Sequence, residues 1–183
     1  METKNALEFF FNKQRDFWQS KYGIFPKLPY NKAIHECMII PNTNKKGYIQ
    51  WKPIPQEEKV DFSELEARLN ITINPQIKQY FTSYWFLSLI GEIDDTTLDF
   101  LIIPYGINIM NLVERHYNLG KTNFPDEDVC FELGFADVNG DDSYLIYVDN
   151  ETTMVKCVQL EDDNVIEMGA LDEVISKMDV CEA

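Results

Sequence analysis

The side chains best suited to nucleophilic or acid–base chemistry are few in this chain. They are two histidines and four cysteines: His35, His116, Cys37, Cys130, Cys157 and Cys181. A histidine can activate a cysteine, but the sequence spacing does not indicate such a couple. The chain also lacks the G-x-S-x-G, Walker A, G-x-G-x-x-G and H-E-x-x-H motifs. The sequence therefore predicts no catalytic residue and a protein that is not an enzyme, with a hydrolase or a metal-dependent enzyme as the alternative.

Metal ligands are not indicated either. The cysteines form no Cys-x-x-Cys pair, which argues against a structural zinc site and favours free thiols. The segment beginning at Asp137 resembles the start of a calcium loop. However, Asp142 stands where the loop needs glycine, and Val148 stands where it needs glutamate. Asn139-Gly140 is instead typical of a hairpin turn. We therefore expect no metal and no cofactor.

Charge is the strongest compositional signal. The 183 residues include 31 acids and 16 bases, which gives a net charge of −15. Residues 1–90 have a net charge of +3, and residues 91–183 have −18. Such a half-chain repels nucleic-acid phosphates and anionic lipid, and it attracts basic proteins. The sequence therefore predicts a basic protein partner, no nucleic acid and no direct membrane insertion. No apolar run is long enough to span a bilayer, and no signal peptide is indicated.

The acids of the second half fall into four groups. These are Asp94-Asp95 with Asp99, Asp126-Glu127-Asp128, Asp137 with Asp141-Asp142, and Glu161-Asp162-Asp163. Aspartate is favoured at turns for local reasons, whereas three adjacent acids before a strand repel one another without an obvious folding role. We therefore predict that the first two groups, Asp94, Asp95, Asp99, Asp126, Glu127 and Asp128, form a partner-binding surface.

An aromatic anchor is expected beside this surface. Trp51 stands at the end of a predicted strand, directly before Lys52-Pro53, where we expect its ring to be only partly buried. Tryptophan is common among the residues that dominate binding energy at protein interfaces. Trp51 is therefore predicted to contact the partner, and burial in the core is the alternative.

Hydrophobic periodicity and turn residues predict the elements that position these side chains. Helices are predicted over residues 5–22, 61–69, from 74–75 onward, 107–118 and 171–178. Strands are predicted over 37–40, 48–51, 85–90, 96–103, 129–135, 144–148, 154–160 and 165–168. Hairpins dominate the second half, without regular β-α-β alternation. This order predicts one α+β domain over residues 1–183, with a mostly antiparallel sheet packed against several helices and the helix of residues 1–22 packed on it.

Several motifs resemble the Syd (SecY-interacting protein) family of the SUKH superfamily. The run from Tyr48 to Pro55 is similar to the aromatic–Trp–x–Pro strand end of that family. The run from Glu64 to Pro75, followed by apolar and aromatic residues, resembles its helix, short link and proline-started helix. Asn111-Leu112-Val113 is similar to a segment of its third helix. These matches follow the family's order along nearly the whole chain.

This resemblance implies a non-enzymatic α+β protein with a concave acidic surface. For the Syd branch it implies binding to basic cytosolic loops of SecY, by a cytoplasmic protein that is peripheral at the inner membrane. For other SUKH proteins it implies immunity proteins that neutralise toxin domains, often nucleases. The segment from Pro104 to Asn108 lacks the acids that the Syd branch carries before its third helix. Both partner classes therefore stay open at this point.

Overall fold

The computed structural model describes residues 1–43, 46–124, 129–159, 161 and 164–181. Five α-helices lie in this part of the chain: α1 (Thr3–Tyr22), α2 (Ser63–Leu69), α3 (Pro75–Thr82), α4 (Ile109–Asn123) and α5 (Leu171–Lys177). The strands are β1 (Lys27–Pro29), β2 (Tyr48–Gln50), β3 (Ile54–Pro55), β4 (Tyr84–Trp85), β5 (Ile90–Ile93), β6 (Thr96–Phe100), β7 (Cys130–Val138), β8 (Asp141–Asp149), β9 (Met154–Gln159), β10 (Asn164–Ala170) and β11 (Asp179–Val180).

Seven of these strands form one antiparallel sheet in the order β10-β9-β8-β7-β6-β5-β11. Three consecutive hairpins, β5–β6, β7–β8 and β9–β10, supply six of them. The pairs β1–β2 and β3–β4 form two small sheets beside it. The predicted α+β class, with a mostly antiparallel sheet and several helices, is confirmed.

The helices cover one face of the seven-stranded sheet. Phe131 and Ile146 on the sheet and Phe10, Tyr80 and Val113 on the helices belong to one cluster of buried side chains. At roughly 25 cal/mol for each Å² of buried apolar surface, this cluster is the main source of folding free energy. None of the described helices combines the length and apolarity that crossing a bilayer requires.

Helix α1 follows its predicted pattern and is fixed at both ends. Its buried residues recur at helical spacing, and Gly23 ends it in the left-handed conformation. At the other end, the side chain of Gln76 in α3 replaces a local cap. Its Oε1 atom accepts hydrogen bonds from the Thr3 amide and the Thr3 hydroxyl, both at 2.6 Å. The first turn of α1 is therefore tied to α3, which begins where predicted and is capped by the Asn74 side chain.

Two predicted strands are wrong. Residues 37–40 contain the end of a 3-10 turn, Glu36–Met38, and only an isolated bridge joins Ile39 to Trp51. Strand β2 pairs with β1, which ends at Pro29 and lies in a segment where no strand was predicted. Residues 85–90 are not one strand, because the chain leaves β4 and re-enters the sheet only at β5. Burial of apolar side chains in the core does not require strand hydrogen bonds, and so a short apolar run does not define a strand.

Candidate functional site

Two acidic turns lie side by side at one end of the seven-stranded sheet. The β5–β6 turn contains Asp94 and Asp95, and Asp137, Asp141 and Asp142 lie at the β7–β8 turn. Pairing of β6 with β7 brings the two turns together, and the Asn139 amide donates to the Asp95 carbonyl at 3.1 Å. We call these five aspartates the acidic edge. The sheet thus joins two acidic groups from distant parts of the chain, residues 94–95 and residues 137–142.

Two of these aspartates also hold the β7–β8 turn in place. The Asp137 carboxylate accepts from the Gly140 amide at 2.7 Å. Asp141 accepts from the Ser143 amide at 3.0 Å and from the Gln159 side chain at 2.8 Å. Hydrogen bonds from Ser143 lower the pKa of Asp141 below its ordinary value, so that it stays ionised. These two carboxylates contribute charge, but part of their hydrogen-bonding capacity serves the fold.

The other three members are free to contact a partner. Asp94, Asp95 and Asp142 are exposed. Within the described residues, no side chain forms an ion pair or a hydrogen bond with any of their carboxylates. Their charge is therefore not neutralised inside the protein, and it produces a field that acts on approaching molecules.

Asp99 lies apart from the acidic edge, although the sequence groups it with Asp94 and Asp95. It stands inside β6, where its register partners are Ile90 and Phe135. This is the sheet face away from the helices, and the Phe135 side chain is 59% exposed there. Partial desolvation raises the pKa of Asp99 above its ordinary value, even though the residue is exposed overall. Asp99 thus lies on a different part of the surface from the turn aspartates.

Trp51 is not partly buried, and that prediction is wrong. Its side chain is 1% exposed and belongs to the main core. The Trp51 amide donates to the Pro26 carbonyl at 2.9 Å, which ties it to the chain after α1. A ring in this position cannot contact a partner unless the surrounding structure opens. The other predicted site residues, Asp126, Glu127 and Asp128, lie outside the described residues.

A histidine–cysteine contact was missed in the sequence. His35 Nδ1 lies 2.9 Å from Cys37 Sγ, and the His35 ring stacks on Tyr105 with 4.6 Å between ring centroids. The two-residue spacing of His35 and Cys37 is visible in the sequence, but it is the 3-10 turn that brings their side chains into contact. Burial raises the pKa of the Cys37 thiol, the reverse of what an activated nucleophile needs. The second histidine, His116, is buried on the inner side of α4, and that burial lowers its pKa.

The titratable side chains do not form a metal site in the part of the chain that the structure describes. Over residues 1–43, 46–124, 129–159, 161 and 164–181, no three His, Cys, Asp or Glu side chains are placed to hold one ion. The aspartates of the acidic edge therefore do not converge on one point, as calcium ligands do. They form a spread of surface charge, which suits a partner with several basic groups.

Comparison with known proteins gives a consistent picture. The family model described as Syd protein (SUKH-2) matches residues 4–106. The chain is 27% identical over 115 residues to Protein Syd of Psychromonas ingrahamii, covering 62% of this chain and 61% of the relative. It is 24% identical over 114 residues to Protein Syd of Pseudoalteromonas atlantica, covering 61% and 59%. The matches thus cover less than two thirds of these relatives. The predicted family resemblance is confirmed.

Proposed function

The chain belongs to the Syd (SUKH-2) family, and from this premise we propose that it is a non-enzymatic protein that binds a basic protein partner through its acidic edge. The sequence resemblance supplies the partner class, the basic cytosolic loops of SecY. In this proposal the protein is cytoplasmic and reaches the inner membrane only through that partner.

The observation that carries this proposal is the pairing of the two acidic turns. One turn would present two carboxylates, whereas the β6–β7 pairing presents five from both turns. Three of them, Asp94, Asp95 and Asp142, form no ion pair with any of the described residues. Complementary charge of this kind raises the rate of encounter and excludes acidic partners. The same field argues against nucleic-acid phosphates as ligands.

The chemistry of the remaining side chains supports a binding role over catalysis. The one histidine–cysteine contact among the described residues has a thiol whose pKa is raised. A nucleophilic cysteine instead needs a lowered pKa and a base that a third group orients. His35 packs on Tyr105 through its ring face. We therefore place the function in the charged surface.

A toxin-immunity function is the second candidate. The turn from Pro104 to Ile107 has no acid, and the Ile107 amide donates to the Pro104 carbonyl at 3.3 Å there. In the Syd branch the resemblance would place acids in this region. A protein that lacks them and keeps the acidic edge could use that edge against a basic toxin domain. Binding to SecY decides between the two candidates.

The test measures affinity for SecY reconstituted in lipid nanodiscs. The variant Asp94→Asn/Asp95→Asn/Asp142→Asn removes three unpaired charges and should weaken binding about tenfold at low salt. The control Glu2→Gln/Glu151→Gln removes exposed charges elsewhere and should bind like the parent. Empty nanodiscs should not bind. Equal binding by the parent and the triple variant would refute the acidic edge as the site, and no binding by the parent would refute SecY as the partner.

A further inference from the structure

A pocket of about 410 Å³ opens beside the β3–β4 pair, where the chain has left β6 at the end opposite the acidic edge. Its lining combines carboxylates with aromatic rings, which the acidic edge lacks. Glu57 and Glu58 contribute exposed carboxylates, which we call the glutamate wall, and Trp85 and Tyr105 contribute rings, which we call the aromatic wall. We call this the aromatic–acidic pocket. Its volume is within the range of about 300–1,000 Å³ that is typical of ligand sites.

The wall that carries the glutamates is held firmly. Gln56, directly before them, donates through its side-chain amide to the Phe81 and Tyr84 carbonyls, both at 2.9 Å. Its backbone amide donates to the Ser83 carbonyl at 3.0 Å. These three bonds tie the start of the glutamate segment to the end of α3. The carboxylates are therefore attached to a rigid base, which lowers the entropic cost of binding.

The aromatic wall is also fixed, by contacts with neighbouring side chains. The centroids of the Trp85 and Tyr105 rings are 5.6 Å apart with an interplanar angle of 61°. Trp85 pairs with Ile54 across the β3–β4 ladder, and Tyr105 is supported by the His35 ring. Gly106, with φ of 81°, supplies the left-handed residue of the turn that presents Tyr105. Tyr105 nevertheless remains 44% exposed.

No positive charge in the described residues occupies this pocket. Glu57 and Glu58 form no ion pair there, although Lys59 follows them in sequence. No lysine or arginine of the described chain lies over the Trp85 or Tyr105 ring. The pocket offers negative charge and aromatic faces to an external cation.

We propose that the aromatic–acidic pocket receives an arginine side chain from a basic segment of the protein partner. Arginine fits better than lysine because its planar guanidinium group stacks on aromatic rings and donates several hydrogen bonds to carboxylates. The guanidinium group is also more weakly hydrated than an ammonium group, so its transfer into the pocket costs less. The inference rests on the proposed function for its partner class, but it uses residues distinct from the acidic edge.

The probe is an acetylated and amidated Gly-Ser-Arg-Ser-Gly peptide, titrated into isotope-labelled protein and followed by NMR at the tryptophan indole N–H groups. Substitution of each tryptophan by phenylalanine assigns the three signals. The Trp85 signal should shift and saturate, whereas those of Trp18 and Trp51, 7% and 1% exposed, should not move. The same peptide with citrulline, a neutral analogue of arginine, should produce no shift, and the lysine peptide should bind more weakly. An unmoved Trp85 signal, or an equal shift with citrulline, would overturn the proposal.

Two variants test the walls separately. Glu57→Gln/Glu58→Gln should raise the dissociation constant of the arginine peptide about fivefold, because both charged partners are lost. Tyr105→Ala should raise it by a similar factor through the lost aromatic face. Each variant is first shown to unfold at the parent's urea midpoint. Unchanged peptide affinity in a folded Glu57→Gln/Glu58→Gln variant would contradict the assigned role of the glutamates.

The acidic-edge variant separates this proposal from the proposed function. Asp94→Asn/Asp95→Asn/Asp142→Asn should bind the arginine peptide as the parent does and bind SecY more weakly. If the peptide shifts Trp85 and SecY does not bind, the pocket is correct and the partner class is wrong. If SecY binds and the peptide does not shift Trp85, the proposed function survives and this inference fails.

Discussion

Substituting Trp51 by alanine should lower the free energy of unfolding by a large fraction. The substitution should affect stability far more than it affects partner binding. The Trp51 side chain is 1% exposed and packed in the main core. Truncation of a buried tryptophan to alanine costs about 3–5 kcal/mol, from lost transfer free energy and from the cavity left behind. Single domains are stable by only about 5–15 kcal/mol, so the loss is a large share of the total.

The assay is urea unfolding followed by circular dichroism, with the parent and Trp51→Ala compared at one temperature. We expect a lower midpoint with an unchanged slope, since the surface exposed on unfolding is nearly the same. Tyr48→Ala is the matched control. Tyr48 is a neighbouring aromatic residue that is 48% exposed and has Lys27 Nζ at 5.7 Å from its ring centroid. Its loss should cost less than about 1 kcal/mol.

The refuting outcome is specific. If Trp51→Ala keeps the parent's urea midpoint but loses affinity for SecY about tenfold or more, Trp51 is a contact residue and the core assignment is wrong. A destabilised variant that binds normally at a temperature where it is folded would support the core assignment.

Three further predictions concern stability. Burial lowers the pKa of His116, so the folded protein favours the neutral ring. The unfolded chain binds a proton at this histidine below its ordinary pKa of about 6.5, so the folded protein loses stability as the pH falls from there toward the lowered pKa. His116→Gln should therefore reduce the drop in unfolding free energy between about pH 7 and 5, and an equal drop in both proteins would contradict this. Gln76→Ala removes the acceptor for the Thr3 amide and should cost about 1–2 kcal/mol in urea unfolding, whereas an effect within error would show that water replaces the cap. A Cβ atom on Gly120 would overlap the Cys130 carbonyl, so Gly120→Ala should lower the melting temperature despite alanine's better helix propensity, and a raised melting temperature would count against the close packing of α4 on β7.

Local signals predicted the elements whose cause is itself local. Asn74-Pro75 starts α3 because an asparagine cap and a proline at the first position satisfy the backbone there. Asn139-Gly140 forms the β7–β8 turn because both residues adopt positive φ. The antiparallel hairpins then follow from chain connectivity, and with them the α+β class.

The features that depend on distant partners could not be predicted in this way. The burial of Trp51 depends on the main core that assembles around it, whereas its position at a strand end before Lys52-Pro53 suggested partial exposure. The contact between the Asn139 amide and the Asp95 carbonyl depends on which strands are neighbours, so the acidic edge became visible only in the sheet. The aromatic–acidic pocket joins segments near residues 57, 85 and 105 that share no sequence pattern.

The central claim, that charge at the acidic edge drives association with a basic partner, is tested most directly by the salt dependence of the association rate. The rate constant for binding to SecY in nanodiscs is measured from about 20 to 300 mM salt, across which the Debye length falls from roughly 20 to 6 Å. The parent should associate more slowly as salt rises, and Asp94→Asn/Asp95→Asn/Asp142→Asn should show a much shallower slope that meets the parent's rate at high salt. Parallel slopes for the parent and the variant would contradict the claim.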